Sequence, residues 1–206
     1  MWAVLFFSQG GAMRRVIALL VSTLALSLIP QSATAKDLKI WDSLQGSNPK
    51  GYVLLMRHAL APGVGDPDNF SVNDCSTQRN LSPEGKQDAR DIGAWLKRQK
   101  VKIYRVESSR WCRARETAQL LNIGKVRSNR NLDSLFQHSD PNGHPQTAAI
   151  RERIIDHRER RGLLVLVGHY VNVMALTGVA LDSGEGVLVR ASADGKIEVK
   201  GHSPAP

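Results

Sequence analysis

Tyr52-Val53-Leu54-Leu55-Met56-Arg57-His58 is the stretch on which the reading of this chain turns. Five apolar, mostly β-prone residues in a row read as a buried strand, and the run stops on a permanent cation beside an imidazole. Open α/β sheets place their ligands beyond the C-terminal ends of strands, so Arg57 and His58 are expected to leave the sheet where an anion can bind. A guanidinium can hold such an anion, most readily a phosphoryl group, and the imidazole beside it can attack. An isolated Arg-His pair also arises by chance on solvated loops. This chain, however, repeats the pattern of strand followed by Arg or His twice more. Val101 to Glu107 leads into Ser108-Ser109-Arg110-Trp111-Cys112-Arg113, and Leu163 to Val167 leads into Gly168-His169.

Outward from these strands the pattern alternates. A long loop, Ala59 to Asn80, carries Asp66, Asp68 and Asp74. It ends at a helix start, with Ser82 as N-cap and Pro83 at the first helical position. Ala89, Ile92, Gly93 and Leu96 give that helix an inward face, and it is expected to run to about Gln99. Ser108 and Ser109 can cap a second helix over Arg113 to Leu121. Lys125 to Arg130 reads as a short strand and residues 137–145 as a loop. Thr147 to Arg161 reads as an amphipathic helix with Ile150, Ile154 and Ile155 inward. Val171 to Thr177 follows as a short helix, and Val187 to Val199 as a hairpin turning at Ala193-Asp194-Gly195. Residues 36–51 read as a lead-in segment. Alternating strands and helices define an α/β class, a three-layer α/β/α sandwich with a mainly parallel central sheet.

The first 35 residues are set apart from this fold. Met13-Arg14-Arg15, the apolar run Val16 to Ile29 and Ala33-Thr34-Ala35 match the charged, apolar and small-residue parts of a secretory signal. The apolar run is short of the ~20 residues of a membrane span, so no stable insertion is expected after cleavage. Met13 is the better translation start, because residues 1–12 carry no charge. Removing 35 of the 206 residues leaves a single domain, 36–206, of 171 residues in the periplasm or outside the cell. The leader holds two of the 28 basic residues and none of the 19 acidic ones, so the formal charge falls from +9 to +7. That balance favours anionic partners. Aromatic residues make up 5% of the chain and the cations are dispersed, which argues against nucleic acid. A monomer is expected. The two cysteines, Cys75 and Cys112, suggest a disulfide in an exported protein, with two separate thiols as the alternative.

Two arginines and two histidines around one point would neutralise a phosphoryl dianion, and one neutral imidazole could then become phosphorylated. Leu54-Leu55-Met56-Arg57-His58-Ala59 resembles the strand-Arg-His-Gly signature of the histidine phosphatase superfamily, also called phosphoglycerate-mutase-like. Ser109 to Ala118, which contains Arg113-Ala114 and Thr117-Ala118, resembles its Ser-x-x-x-Arg-Ala-x-x-Thr-Ala segment. Leu81-Ser82-Pro83-Glu84-Gly85 is similar to its helix start, and Val165 to His169 to the strand bearing its second histidine. The likeness spans residues 52 to about 178, in the family's order. Its size and intervals look most like the compact phosphohistidine-phosphatase-like branch and its exported relatives.

The resemblance implies that His58 is the phosphorylated nucleophile, that Arg57 and Arg113 clamp the phosphoryl oxygens, and that His169 completes the pocket. It implies no metal and no other cofactor. The function implied is an exported phosphomonoesterase acting on a phosphorylated small molecule or glycolipid, such as lipopolysaccharide core or a sugar phosphate. The alternatives are a phosphate-binding module without turnover and a protein phosphohistidine phosphatase. Mutase chemistry is disfavoured by the shortness of the chain. Ala59 departs from the family's glycine and restricts the backbone there. The family's acidic proton donor has no clear counterpart: Asp133 stands at about the right place, with Asp66, Asp68 and Asp74 as rivals. Without a positioned acid, esters with good leaving groups would be favoured. Arg110 and Arg115 are expected at the surface, and Arg79 as a loop cation or a phosphate contact. Trp111 is expected to pack or line the rim. His138, Asp140 and His144 match no common metal motif.

Overall fold

The computed structural model describes residues 35–203. The leader assigned to residues 1–35 falls, but for Ala35, outside the described residues. Six strands form one sheet: β1 (Tyr52–Arg57), β2 (Ile103–Ser108), β3 (Val126–Ser128), β4 (Leu163–Gly168), β5 (Gly186–Ala191) and β6 (Ile197–His202). Their spatial order is β3-β2-β4-β1-β5-β6. The pairings from β3 to β1 are parallel, whereas β5 runs antiparallel to both β1 and β6. The sheet is thus mainly parallel, with the expected hairpin at one edge.

Five helices cover the two faces: α1 (Ala35–Leu44), α2 (Pro83–Arg98), α3 (Cys112–Leu120), α4 (Pro145–His157) and α5 (Tyr170–Thr177). Side chains alternate across a strand, and β1 and β4 are apolar on both sides. Leu54 and Met56 meet Ile92, Leu96, Ala114 and Ala118 from α2 and α3, whereas Val53 and Leu55 join Ile150, Ile154, Val173 and Leu176 from α4 and α5. Every residue of β4 is buried. Truncating one of them, Leu166→Ala, should cost ~2–5 kcal/mol through lost burial and the cavity left behind.

Helix α2 starts as its sequence dictates: the Ser82 hydroxyl accepts the Gly85 amide at 3.0 Å, with Pro83 at the first helical position. Ser108 and Ser109 do not cap α3 in the expected way. Its N-cap position is Trp111, without a side-chain bond; Ser109 Oγ accepts the Trp111 amide, and Ser108 Oγ is buried without a partner. Residues 35–44 are a helix rather than the expected lead-in. Trp41 is buried against Trp95, and its indole donates to the His202 carbonyl at 2.8 Å, 161 positions along the chain. Asp37 accepts the His202 amide at 2.7 Å. The helix is therefore held by a distant strand, which no local pattern announces.

Sheet register sets the site. Arg57 pairs with Gly168, and Ser108 with Val167. The next residues, His58, Ser109 and His169, therefore leave the sheet side by side at its C-terminal edge. The His58 amide donates to the Gly168 carbonyl at 3.0 Å and the Ser109 amide to the Val167 carbonyl at 2.9 Å.

Candidate active site

Three of the four expected side chains lie deep in one place. His58, Arg113 and His169 are each 3–4% exposed, and with Arg57 they line a cavity of about 780 Å³. The rings of His58 and His169 stand 5.3 Å apart, edge to face. Arg113 sits in the first turn of α3, which brings its guanidinium under the end of β1. Its Nε donates to His58 Nε2 at 3.2 Å, while His58 Nδ1 lies 2.8 Å from the Ala59 carbonyl. A carbonyl only accepts, so Nδ1 carries the proton and Nε2 keeps its lone pair. Burial, reinforced by Arg113, Arg57 and Arg79, pushes the His58 imidazole down to about 3 against its hydrogen bond to Ala59. His58 is thus a neutral imidazole with Nε2 directed at a cation.

His169 is also held neutral, chiefly by burial and then by the neighbouring His58 and Arg113. Its Nε2 lies 3.0 Å from Ser109 Oγ, which donates to Asp133 Oδ1 at 3.2 Å. Asp133 also accepts from the Arg110 amide at 2.9 Å and Arg110 Nε at 2.7 Å. Asp133 therefore lies behind His169, with its carboxylate engaged, and does not line the cavity. The position expected of a proton donor is not reached, because this loop turns the carboxylate onto the start of α3.

Asp66 is the carboxylate brought to the centre. Its two oxygens chelate Arg113 at 2.6 and 3.0 Å, and Oδ2 accepts the Trp111 indole at 2.9 Å. Burial alone would raise this carboxyl, but the bonds from Arg113 and Trp111 outweigh it and hold it below its ordinary value. Asp68 lines the cavity farther out. Asp74 instead caps a turn by accepting Ser76 at 2.9 Å. Arg57 donates through Nη1 to the Leu181 carbonyl at 2.9 Å, and its buried Nε has no partner. Arg79 lines the cavity, but its guanidinium is bound to the carbonyls of Ala61, Gly63 and Gly65 and straps the loop that carries Asp66.

Cys75 and Cys112 form a disulfide that ties the same loop to the residue before Arg113. Arg115 points at its sulfurs, and Arg110 is engaged by Asp133, so neither flanking arginine enters the cavity. Ala59 fits without strain: it is fully buried, is not among the described non-glycine residues with positive φ, and donates its amide to Thr117 Oγ1 at 3.0 Å. Trp111 lines the cavity, stacked on Phe70 at 4.9 Å. His144 caps α4 and Asp140 accepts the Gly143 amide. No group of three or more His, Cys, Asp or Glu is placed to hold a metal among the described residues.

No family model and no curated protein matches the chain. Solved structures do match. The protein histidine phosphatase SixA in complex with tungstate aligns at a TM-score of 0.55 and 18% identity, over 74% of this chain and 96% of that one. A mycobacterial glucosyl-3-phosphoglycerate phosphatase gives 0.51 and 15%, over 72% and 96%. A phosphoserine phosphatase of Entamoeba histolytica, in complex with phosphoserine, gives 0.50 and 14%, over 72% and 94%. At these identities the likeness is one of fold: the chain has the fold of the histidine phosphatase superfamily.

Proposed function

We propose that this protein is a phosphoric monoester hydrolase that works through a phosphohistidine on His58. The observation that carries the reading is the neutral, Nδ1-protonated His58, whose Nε2 lone pair lies 3.2 Å from Arg113 with His169 and Arg57 alongside. A phosphoester dianion entering the cavity displaces the Asp66 carboxylate from Arg113. Arg113 and Arg57 then hold the non-bridging oxygens. His58 Nε2 attacks phosphorus, the P–N bond forms, and the ester P–O bond breaks. His169 faces the equatorial oxygens, and once the bound dianion favours the cationic imidazole it takes up a proton at Nδ1 and stabilises their developing charge.

The departing oxygen needs a proton. Asp66, once parted from Arg113, loses the bonds that hold its carboxyl down, takes up a proton from solvent beside the bound dianion, and is then the acid within reach; Asp133 instead positions His169 through Ser109. Water then attacks the phosphohistidine, passing its proton to the Asp66 carboxylate left by the first step; the P–N bond breaks, and inorganic phosphate leaves. No step needs a metal. The leader of residues 1–35 and the Cys75–Cys112 disulfide together support action in an oxidising compartment, the periplasm or outside the cell. The substrate class is a phosphorylated small molecule, with lipopolysaccharide core phosphate and sugar phosphate as the members suggested by the sequence likeness.

The test is hydrolysis of p-nitrophenyl phosphate by the protein and by His58→Ala, each with and without chelator. Turnover that vanishes in the variant and survives chelation is expected. Equal activity in the variant, or loss with chelator, would overturn the mechanism. Phosphate binding without turnover would identify a binding module.

A further inference from the structure

The phosphoryl group fills only the cationic end of a cavity of about 780 Å³, a volume typical of sites for drug-sized ligands. The remainder groups Val64, Phe70, Trp111, Phe136 and Tyr170, with Asp68, Gln137 and His138 among them. Phe70 and Phe136 are the two phenylalanines of the described residues; both line this cavity, and neither belongs to a core cluster. Phe136 is 55% exposed and Val64, on the facing loop, 86%. Tyr170 completes the wall from the start of α5, and its ring lies 5.7 Å from the Arg57 guanidinium. Half of the six exposed large hydrophobic residues therefore stand around one opening. Leaving such side chains in water forgoes burial that a core position would provide, so their grouping beside a phosphate site points to a ligand surface.

Several polar groups on this wall are already engaged. The Trp111 indole N–H is bound to Asp66, the Arg79 guanidinium to three loop carbonyls, and Ser134 Oγ to the Phe136 amide. Asp68, Gln137 and His138 also line the cavity, while the exposed faces of Phe136 and Tyr170 are available to a flat ring. Building on the phosphatase reading above, we propose that the group esterified to the phosphate is flat and apolar. The substrate class is then an aryl or arylmethyl phosphate, its ring held between Phe136 and Val64 on one side and the Trp111–Phe70 stack on the other. Among the phosphorylated small molecules inferred from the sequence, the grouped ring faces favour those that carry a flat ring.

Two measurements separate this proposal from the phosphatase reading. The first is calorimetric binding of naphthylmethylphosphonate and methylphosphonate, neither of which can be hydrolysed. The aromatic ligand should bind at least about tenfold more tightly, from ring burial and stacking. In Phe136→Ser and in Val64→Ser that advantage should shrink, in the former to within about twofold. Equal affinities, or an advantage that both variants retain, would overturn the proposal. The second is hydrolysis of naphthylmethyl phosphate against a hexose phosphate esterified at its primary hydroxyl, so that both leaving groups are primary alkoxides. A higher kcat/KM for the aromatic ester, residing mainly in KM, is expected; a preference for the hexose would overturn the proposal. Discriminating phosphonate binding with no hydrolysis of either ester would defeat the phosphatase reading and leave the aromatic site standing.

Discussion

The two ends of the cavity are built differently. At the inner end His58, Arg113 and His169 hang from strand ends and the first turn of a helix and are 3–4% exposed. Backbone bonds from His58 and Ser109 hold this edge across β1, β2 and β4, and the disulfide braces the residue before Arg113. At the outer end Val64 and Phe136 stand on loops, 86% and 55% exposed. Reacting groups gain from rigid placement and from exclusion of water, whereas loops can vary without disturbing the sheet. On the proposed function, the inner end carries the chemistry and the outer end the choice of substrate.

That division can be broken most severely with Arg113→Ala, which removes the guanidinium facing both His58 and the incoming anion. It should lower kcat/KM for p-nitrophenyl phosphate by about 10³-fold, the scale of losing a principal charge-stabilising group. Val64→Ser should lower it by no more than about fivefold, since only a few methyl contacts are lost. Comparable losses would mean that the two ends do not differ in role. Next in size is the brace itself. Replacing Cys75 and Cys112 by Ser together should destabilise the fold by ~2–5 kcal/mol, read as a lower denaturation midpoint. An unchanged midpoint would show that the inner end does not depend on the bridge.

A smaller effect concerns the carboxylate between the two ends. Asp66→Asn removes the anion that chelates Arg113, so inorganic phosphate should bind about tenfold more tightly by calorimetry. Weaker binding would place Asp66 in support of the anion site rather than in competition with it. The smallest effect is on stability against acid. His58 is pushed down to about 3 in the folded chain, against ~6.5 when unfolded. Between those values the unfolded chain binds a proton that the folded site refuses. The stabilisation is therefore complete above about pH 6.5 and is lost as pH falls towards 3. The urea midpoint should drop between pH 7 and pH 5, and should drop less in His58→Gln; equal drops would place the acid sensitivity elsewhere.

The inner end was legible in the sequence because each of its parts is local. The apolar runs of β1 and β4 end on the residues that matter, and Ser82-Pro83 starts α2 by its own capping chemistry. The position of Arg113 in the first turn of α3 followed from the family likeness. What could not be read depends on distant contacts. Helix α1 is held by β6, and the pairing of Asp66 with Arg113 joins residues 47 positions apart. Asp133 stood at a plausible distance in sequence, but the turn that carries it binds its carboxylate to Arg110 and Ser109. Phe136 and Val64 could not be read because loop residues carry no periodicity to say which way they face, and Tyr170 because it opens α5 one residue before the expected start of that helix.

The central claim is that His58 Nε2 accepts the phosphoryl group. Rapid acid-free quenching during turnover of p-nitrophenyl phosphate, followed by digestion and mass spectrometry, tests it directly. One acid-labile, base-stable phosphoryl group on the peptide bearing His58, absent from His58→Ala, is expected. A turning-over protein with no such group, or with the group on another residue, would contradict it.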